Sequence, residues 1–149
     1  MRIIQLIVLL SLLSCQNIDE KRKSELHDTI SDNILKMTQL ISSTFNLPAL
    51  QKYYKVQETL KQNELVLLEN EFVKDVGKLE KFNYPIKIYS KSEIQDKGIK
   101  AYLEYKSIKI NGDTAFVHYR YDVQGIGIES SYLYKKREWV LLKYDLWEN

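Results

Sequence analysis

The sequence predicts an α+β fold, with N-terminal helices followed by a curved antiparallel sheet of four to five strands. Three observations carry this. Apolar residues recur at spacings of three and four from Leu26 to Phe45, the period of one helix face. From Tyr84 onward apolar and polar residues alternate, the period of a half-buried strand. Turn signals at Asn111-Gly112, Gly125-Ile126-Gly127 and Lys136-Arg137-Glu138 cut that second half into hairpin-sized pieces. Helices gathered ahead of a meander define α+β, not an alternating α/β arrangement.

Before these elements the chain opens MRIIQLIVLLSLLSC. Met1 and Arg2 make a short basic start, and Ile3 to Leu13 is apolar apart from Gln5 and Ser11. As a helix that run spans about 16 Å, against about 30 Å of bilayer hydrocarbon. It reads as a secretory leader, and the polar stretch from Asn17 to Lys23 marks its end. The chain's single cysteine, Cys15, follows Leu12-Leu13-Ser14. This stretch resembles the lipobox of bacterial lipoproteins, with Leu13 bulkier than the usual residue at its position. The resemblance implies that residues 1–14 are a signal peptide cut before Cys15. It implies a diacylglycerol on the thiol and an acyl chain such as palmitate on the new amino group. The bacterial cell envelope is the implied address. Gln16 stands where an aspartate is linked to inner-membrane retention, so the outer membrane is the expected site, periplasmic or surface-facing. Each buried methylene contributes about 0.8 kcal/mol, so two or three chains give lasting attachment. A plain cleaved secretory signal is the alternative. With Cys15 used as an anchor, disulfides and cysteine-ligated metals are excluded from the rest of the chain.

The organisation that follows is a signal peptide over 1–14, a lipidated tether over 15–24 and a single α+β domain over 25–149. Leu26, Ile30, Ile34, Met37, Ile41 and Phe45 form the first helix's apolar stripe. Asn46-Leu47-Pro48 interrupts it, because the residue before a proline resists the α conformation while proline itself suits a helix's first turn. A second helix is expected from Pro48 towards Gln62. Residues 63–82 fit a helix on Leu65, Leu68, Phe72, Val76 and Leu79, with Asn63 as cap. Leu65-Val66-Leu67-Leu68 also fits a buried strand, with a helix restarting after Asn70; we read the segment as helix.

Pro85 to Tyr89 alternates as a strand, and Ser90 with Glu93 makes a capping-box pattern for one helical turn. Ile99 to Ile110 reads as a long strand whose apolar parity changes after Tyr105, so a bulge is expected near Lys106. Asn111-Gly112 is a hairpin signal, since two-residue turns favour positive φ. The return strand, Thr114 to Val123, sets Ala115, Val117, Tyr119 and Tyr121 on one face and Phe116, His118, Arg120 and Asp122 on the other. Strands over 128–135 and 139–147 complete the meander.

The stretch IKINGDTAFVHYRYDVQG…YLYKKREWVLLKYDLWE, with Ala115, Val117 and Trp139, resembles the terminal strands of nuclear-transport-factor-2-like (NTF2-like) domains. The related cystatin-like arrangement fits the same element order. The resemblance implies a curved sheet wrapped on helices around a cone-shaped pocket. Its members include enzymes, ligand binders, immunity proteins and adaptors, so function has to come from a site.

The 149 residues carry a net charge of +2 with both signs interspersed, and no basic stripe for nucleic acid appears. Two histidines occur. His27 reads as a helix flank. His118, beside Phe116 and Arg120, could act as a general base if an acid faced it. No metal-ligand spacing, phosphate loop or nucleophile elbow is present, so no catalytic residue, metal or cofactor is expected. The 11 tyrosines include Tyr102, Tyr119, Tyr121, Tyr132, Tyr134 and Tyr144, on strands expected to be neighbours, which form either an aromatic platform or cross-strand core pairs. Apart from Cys15 as lipid site, the candidate ligand-binding residues are therefore His118, Arg120, Tyr119 and Tyr121. The expected partners are the membrane through the lipid, and an envelope protein or small apolar ligand. The functional reading is a non-catalytic binding domain on a lipid anchor. A toxin-neutralising immunity protein and an NTF2-like enzyme using His118 are the alternatives.

Overall fold

A computed structural model describes residues 29–55, 65–81, 83–122 and 125–148. The expected leader, Cys15, the tether, Leu26, His27, Asn63 and the second helix's extension to Gln62 lie outside the described residues. The chain divides into two compact units, Met1–Ile34 and Leu35–Asn149. In the first, residues 29–34 are helical. Everything below concerns the second.

Its helical residues 35–45 (α1) bury Leu40, Ile41, Thr44 and Phe45 completely. The helix stops where the proline rule places the stop. Leu47 is extended (φ −51°, ψ 124°), Pro48–Leu50 forms a 3₁₀ turn, and Gln51–Lys55 is a short helix (α2). Asn46 closes α1 by donating from its side-chain amide to the Ser42 carbonyl at 2.9 Å.

The described part of 63–82, residues 65–81, corrects the expectation of a helix. Val66–Leu68 is a strand (β1), lying parallel to Lys87–Tyr89 (β4) and to the start of Leu103–Asn111 (β5). Leu67, fully buried, faces Ile88 on one side and Leu103 on the other. A strand covered on both faces is apolar at successive positions, so its period carries no sign of its type. No helix restarts after Asn70 either. Its carboxamide oxygen accepts from the Phe72 N–H at 3.0 Å and its amide donates to the Tyr105 carbonyl at 2.8 Å. Residues 71–75 are a turn held by that local bonding.

The expected strand at 85–89 is divided. Tyr84–Pro85 (β3) pairs with Glu80–Lys81 (β2) in a small antiparallel ribbon, and only β4 joins the main sheet. The capping box at Ser90 and Glu93 is present and starts the helix Lys91–Asp96 (α3).

β5 continues through Thr114–Tyr121 (β6), Ile126–Lys135 (β7) and Glu138–Glu148 (β8) as an antiparallel meander. The main sheet has six strands in the order β4-β1-β5-β6-β7-β8, antiparallel except at β1, and does not close into a barrel. The expected four to five antiparallel strands missed β1, because its neighbours are sequence-distant. The register of β5 shifts between Tyr105 and Ser107 as the parity change predicted. The bulge brings Ile108 and Ile110 opposite Val117 and Ala115, on the same face as Leu103 and Tyr105. In the following turn Asn111 pairs with Thr114, so Gly112 and Asp113 are central. Only Gly112 has positive φ (58°), the pattern of a type II′ turn, where the sequence pointed to Asn111-Gly112.

The β7–β8 turn is costlier. Lys136 and Arg137 both have positive φ (54° and 67°), the type I′ pattern that favours Asn-Gly. Replacing them together (Lys136→Asn with Arg137→Gly) is expected to stabilise the domain by about 1–2 kcal/mol, read as a higher urea midpoint.

The core lies between α1 and one face of the sheet. Tyr105, Tyr119, Tyr121 and Tyr132 are almost fully buried there. The Tyr105 and Thr44 hydroxyls share a 2.5 Å hydrogen bond, and the Tyr119 hydroxyl donates to the Thr44 carbonyl at 2.9 Å. Trp139 donates from its indole N–H to the Lys36 carbonyl at 2.9 Å. These bonds tie α1 to β5, β6 and β8, satisfying polar groups that burial would otherwise leave bare.

Candidate functional site

The face of the sheet turned away from α1 presents three cross-strand rows, set by register alone. Lys109, Phe116, Ser131 and Lys143 form one; Ser107, His118, Glu129 and Asp145 the next; Glu104, Arg120, Gly127 and Trp147 the third. The first two rows, with Tyr144, line an open recess of about 350 Å³.

Its chemistry is mixed. Phe116 is 51% exposed and supplies apolar surface. Tyr144 reaches the recess only along the β8 backbone, since its side chain turns to the other face, where its cross-strand partner is the buried Ser130. Lys143 donates to Asp145 at 2.9 Å, and that hydrogen-bonded carboxylate holds its ammonium above the usual lysine pKa. His118 sits directly across from Glu129 and has the Trp147 ring at 5.9 Å, tilted by 42°. The Trp147 indole covers Gly127, where a Cβ would come within 2.3 Å of its Cε2. A glycine in a strand permits such close approach. Gly127→Ala is therefore expected to swing Trp147 off the sheet and away from His118. The readout is a red-shifted tryptophan emission with a stability loss of about 1 kcal/mol.

The four candidate ligand residues do not share a face. His118 and Arg120 are on the recess side; Tyr119 and Tyr121 are fully buried against the core, as strand alternation requires. Of the other tyrosines, Tyr132 is also buried, Tyr134 packs on Trp139 with ring centroids 5.0 Å apart, and Tyr144 projects from β8 on the face opposite Lys143 and Asp145. Asp122 leaves the face after β6, and its N–H donates to the Tyr102 carbonyl at 3.0 Å. Sequence reasoning missed Glu129, Lys143, Asp145 and Trp147. Their parity was readable on β7 and β8, but which of them faces His118 depends on pairing that only the fold supplies.

Among the described residues no three His, Cys, Asp or Glu side chains are placed to hold a metal ion. No described helix is long and apolar enough to cross a membrane. The fold and its exposed face define a mixed α+β domain carrying an open polar–aromatic recess. No protein-family model, curated protein or solved structure matches the chain.

Proposed function

We propose that this is a lipid-anchored lipoprotein of the bacterial envelope, held at the outer membrane through Cys15, whose domain binds a neighbouring envelope protein without catalysis. The observation that carries the binding reading is the recess across β5–β8. It combines exposed Phe116 with Lys109, Lys143, Glu129 and Asp145. Charges of both signs around an apolar centre suit a protein surface better than a small apolar ligand, which would leave them without partners. Burial of four tyrosines beneath the helix supports recognition on the outer face. α1 packed on one face of the β5–β8 meander supports the NTF2-like or cystatin-like reading.

Two experiments test this. The mass of the native N-terminal peptide should show an acylated Cys15; an unmodified thiol or an uncut leader overturns the anchor. Photo-cross-linking from position 116 in intact cells should capture one stoichiometric envelope protein, and Glu129→Lys should abolish the adduct. Absence of any adduct overturns the binding face, and a secreted toxin in its place favours the immunity reading.

A second reading, general-base catalysis by His118, is favoured by Glu129 standing opposite it. His118→Ala leaves capture intact if the domain only binds.

A further inference from the structure

We propose that β8 pairs with β8 of a second copy of this chain, antiparallel, about a two-fold axis at Tyr144. β8 is the last strand of the sheet order, and it runs for 11 residues. The opposite edge, β4, has three residues. A long edge strand presents a row of backbone donors and acceptors that another strand can take. β8 has no proline to block this, and its apolar side chains are open: Leu142 is 58% exposed and Tyr144 43%.

Charge decides what can dock. Lys143 and Asp145 stand two residues apart on the same face, with side chains 72% and 61% exposed. A strand of arbitrary sequence meets both charges and loses solvation for them. A second copy does not. Side chains facing each other across an antiparallel pair share a face, so a two-fold pairing shifts register in steps that keep parity. Centring on Tyr144 sets Lys143 opposite the partner's Asp145 and Asp145 opposite the partner's Lys143. Leu142 then faces the partner's Leu146. Centring on Lys143 or on Asp145 instead sets like charges directly opposite each other, which is destabilising. One register alone turns both charges into cross-strand ion pairs. The in-strand pair of the single chain becomes a four-charge ring across the axis.

The bulge at Ser131/Tyr132, where Leu142 is the extra residue, confines regular pairing to the segment 142–146. The contact is therefore short, and the dimer reversible and sensitive to salt. Attachment of both copies to one membrane would raise their effective concentration and offset that weakness. The paired sheet would run through twelve strands and bring two recesses side by side, since Lys143 and Asp145 line each.

Sedimentation equilibrium of the full chain in detergent tests this. Wild type should show a reversible monomer–dimer equilibrium. Lys143→Asp and Asp145→Lys, each placing like charges opposite one another twice, should weaken it roughly tenfold. The double exchange, Lys143→Asp with Asp145→Lys, should restore it. Both side chains are exposed, and circular dichroism checks that the variants remain folded. Tyr144→Cys should form a disulfide-linked dimer under mild oxidation, and Phe116→Cys should not. A wild-type chain that stays monomeric overturns the proposal, as do single variants that dimerise like wild type or a double exchange that fails to recover.

Discussion

Between about pH 9 and pH 11 the folded domain is expected to lose on the order of 4 kcal/mol of stability. The cause is a group of buried phenols on α2, β5 and β6. Burial holds the hydroxyls of Tyr54, Tyr105 and Tyr119 well above the ordinary tyrosine pKa, and nearby tyrosines push those of Tyr54 and Tyr119 further. In the unfolded chain they ionise near pH 10. Below that pH both states are protonated and the stabilisation is fully present. Above it the unfolded chain releases protons that the folded one retains, so stability falls as pH rises. Each tyrosine then costs about 1.4 kcal/mol per pH unit, and three of them remove a large part of a typical total of about 5–15 kcal/mol. Urea midpoints measured across this range should fall steeply, with the buried tyrosines' share of the tyrosinate absorbance appearing only together with loss of the helical signal. Ionisation of these tyrosines in a chain that keeps its native circular dichroism would contradict the packing described.

Leu67→Ala is expected to cost about 3 kcal/mol, measured as a drop in urea midpoint with an unchanged denaturant slope. Leu67 is fully buried and is the one residue of β1 whose register joins both neighbours, Ile88 of β4 and Leu103 of β5. Truncation leaves a cavity where two parallel strand pairings meet, and little else can move in. Leu142→Ala, on the exposed edge, should change stability by less than about 0.5 kcal/mol, and serves as the comparison. Equal effects at the two positions would show that residues 66–68 are not a central strand.

Much of the meander could be read directly. The bulge at Lys106 follows from a parity change between Tyr105 and Ile108, and the alternation of β6 assigns Tyr119 and Tyr121 to the face opposite His118 and Arg120. That same alternation argues against gathering those four residues into one site, a consequence visible in the period itself. The helix stop at Asn46 and the capping box at Ser90 rest on local backbone chemistry and appear where expected. The recess was less legible. His118 was on view in the sequence, but Glu129, Asp145 and Lys143 join it only through the pairing of three successive strands.

By itself the sequence determined whatever depends on neighbours within a few residues: the helix period ending at Phe45, the strand parity, and the turns at Gly112 and Lys136-Arg137. Tertiary structure alone decided that Val66–Leu68 is a strand, that β4 lies beside it, and which outer-face residues share a row. The physical reason is range. Dihedral preferences and side-chain alternation act over a turn or a pleat. The type of a short, wholly apolar segment is settled by which distant strands hydrogen-bond to it and how completely they take it out of water.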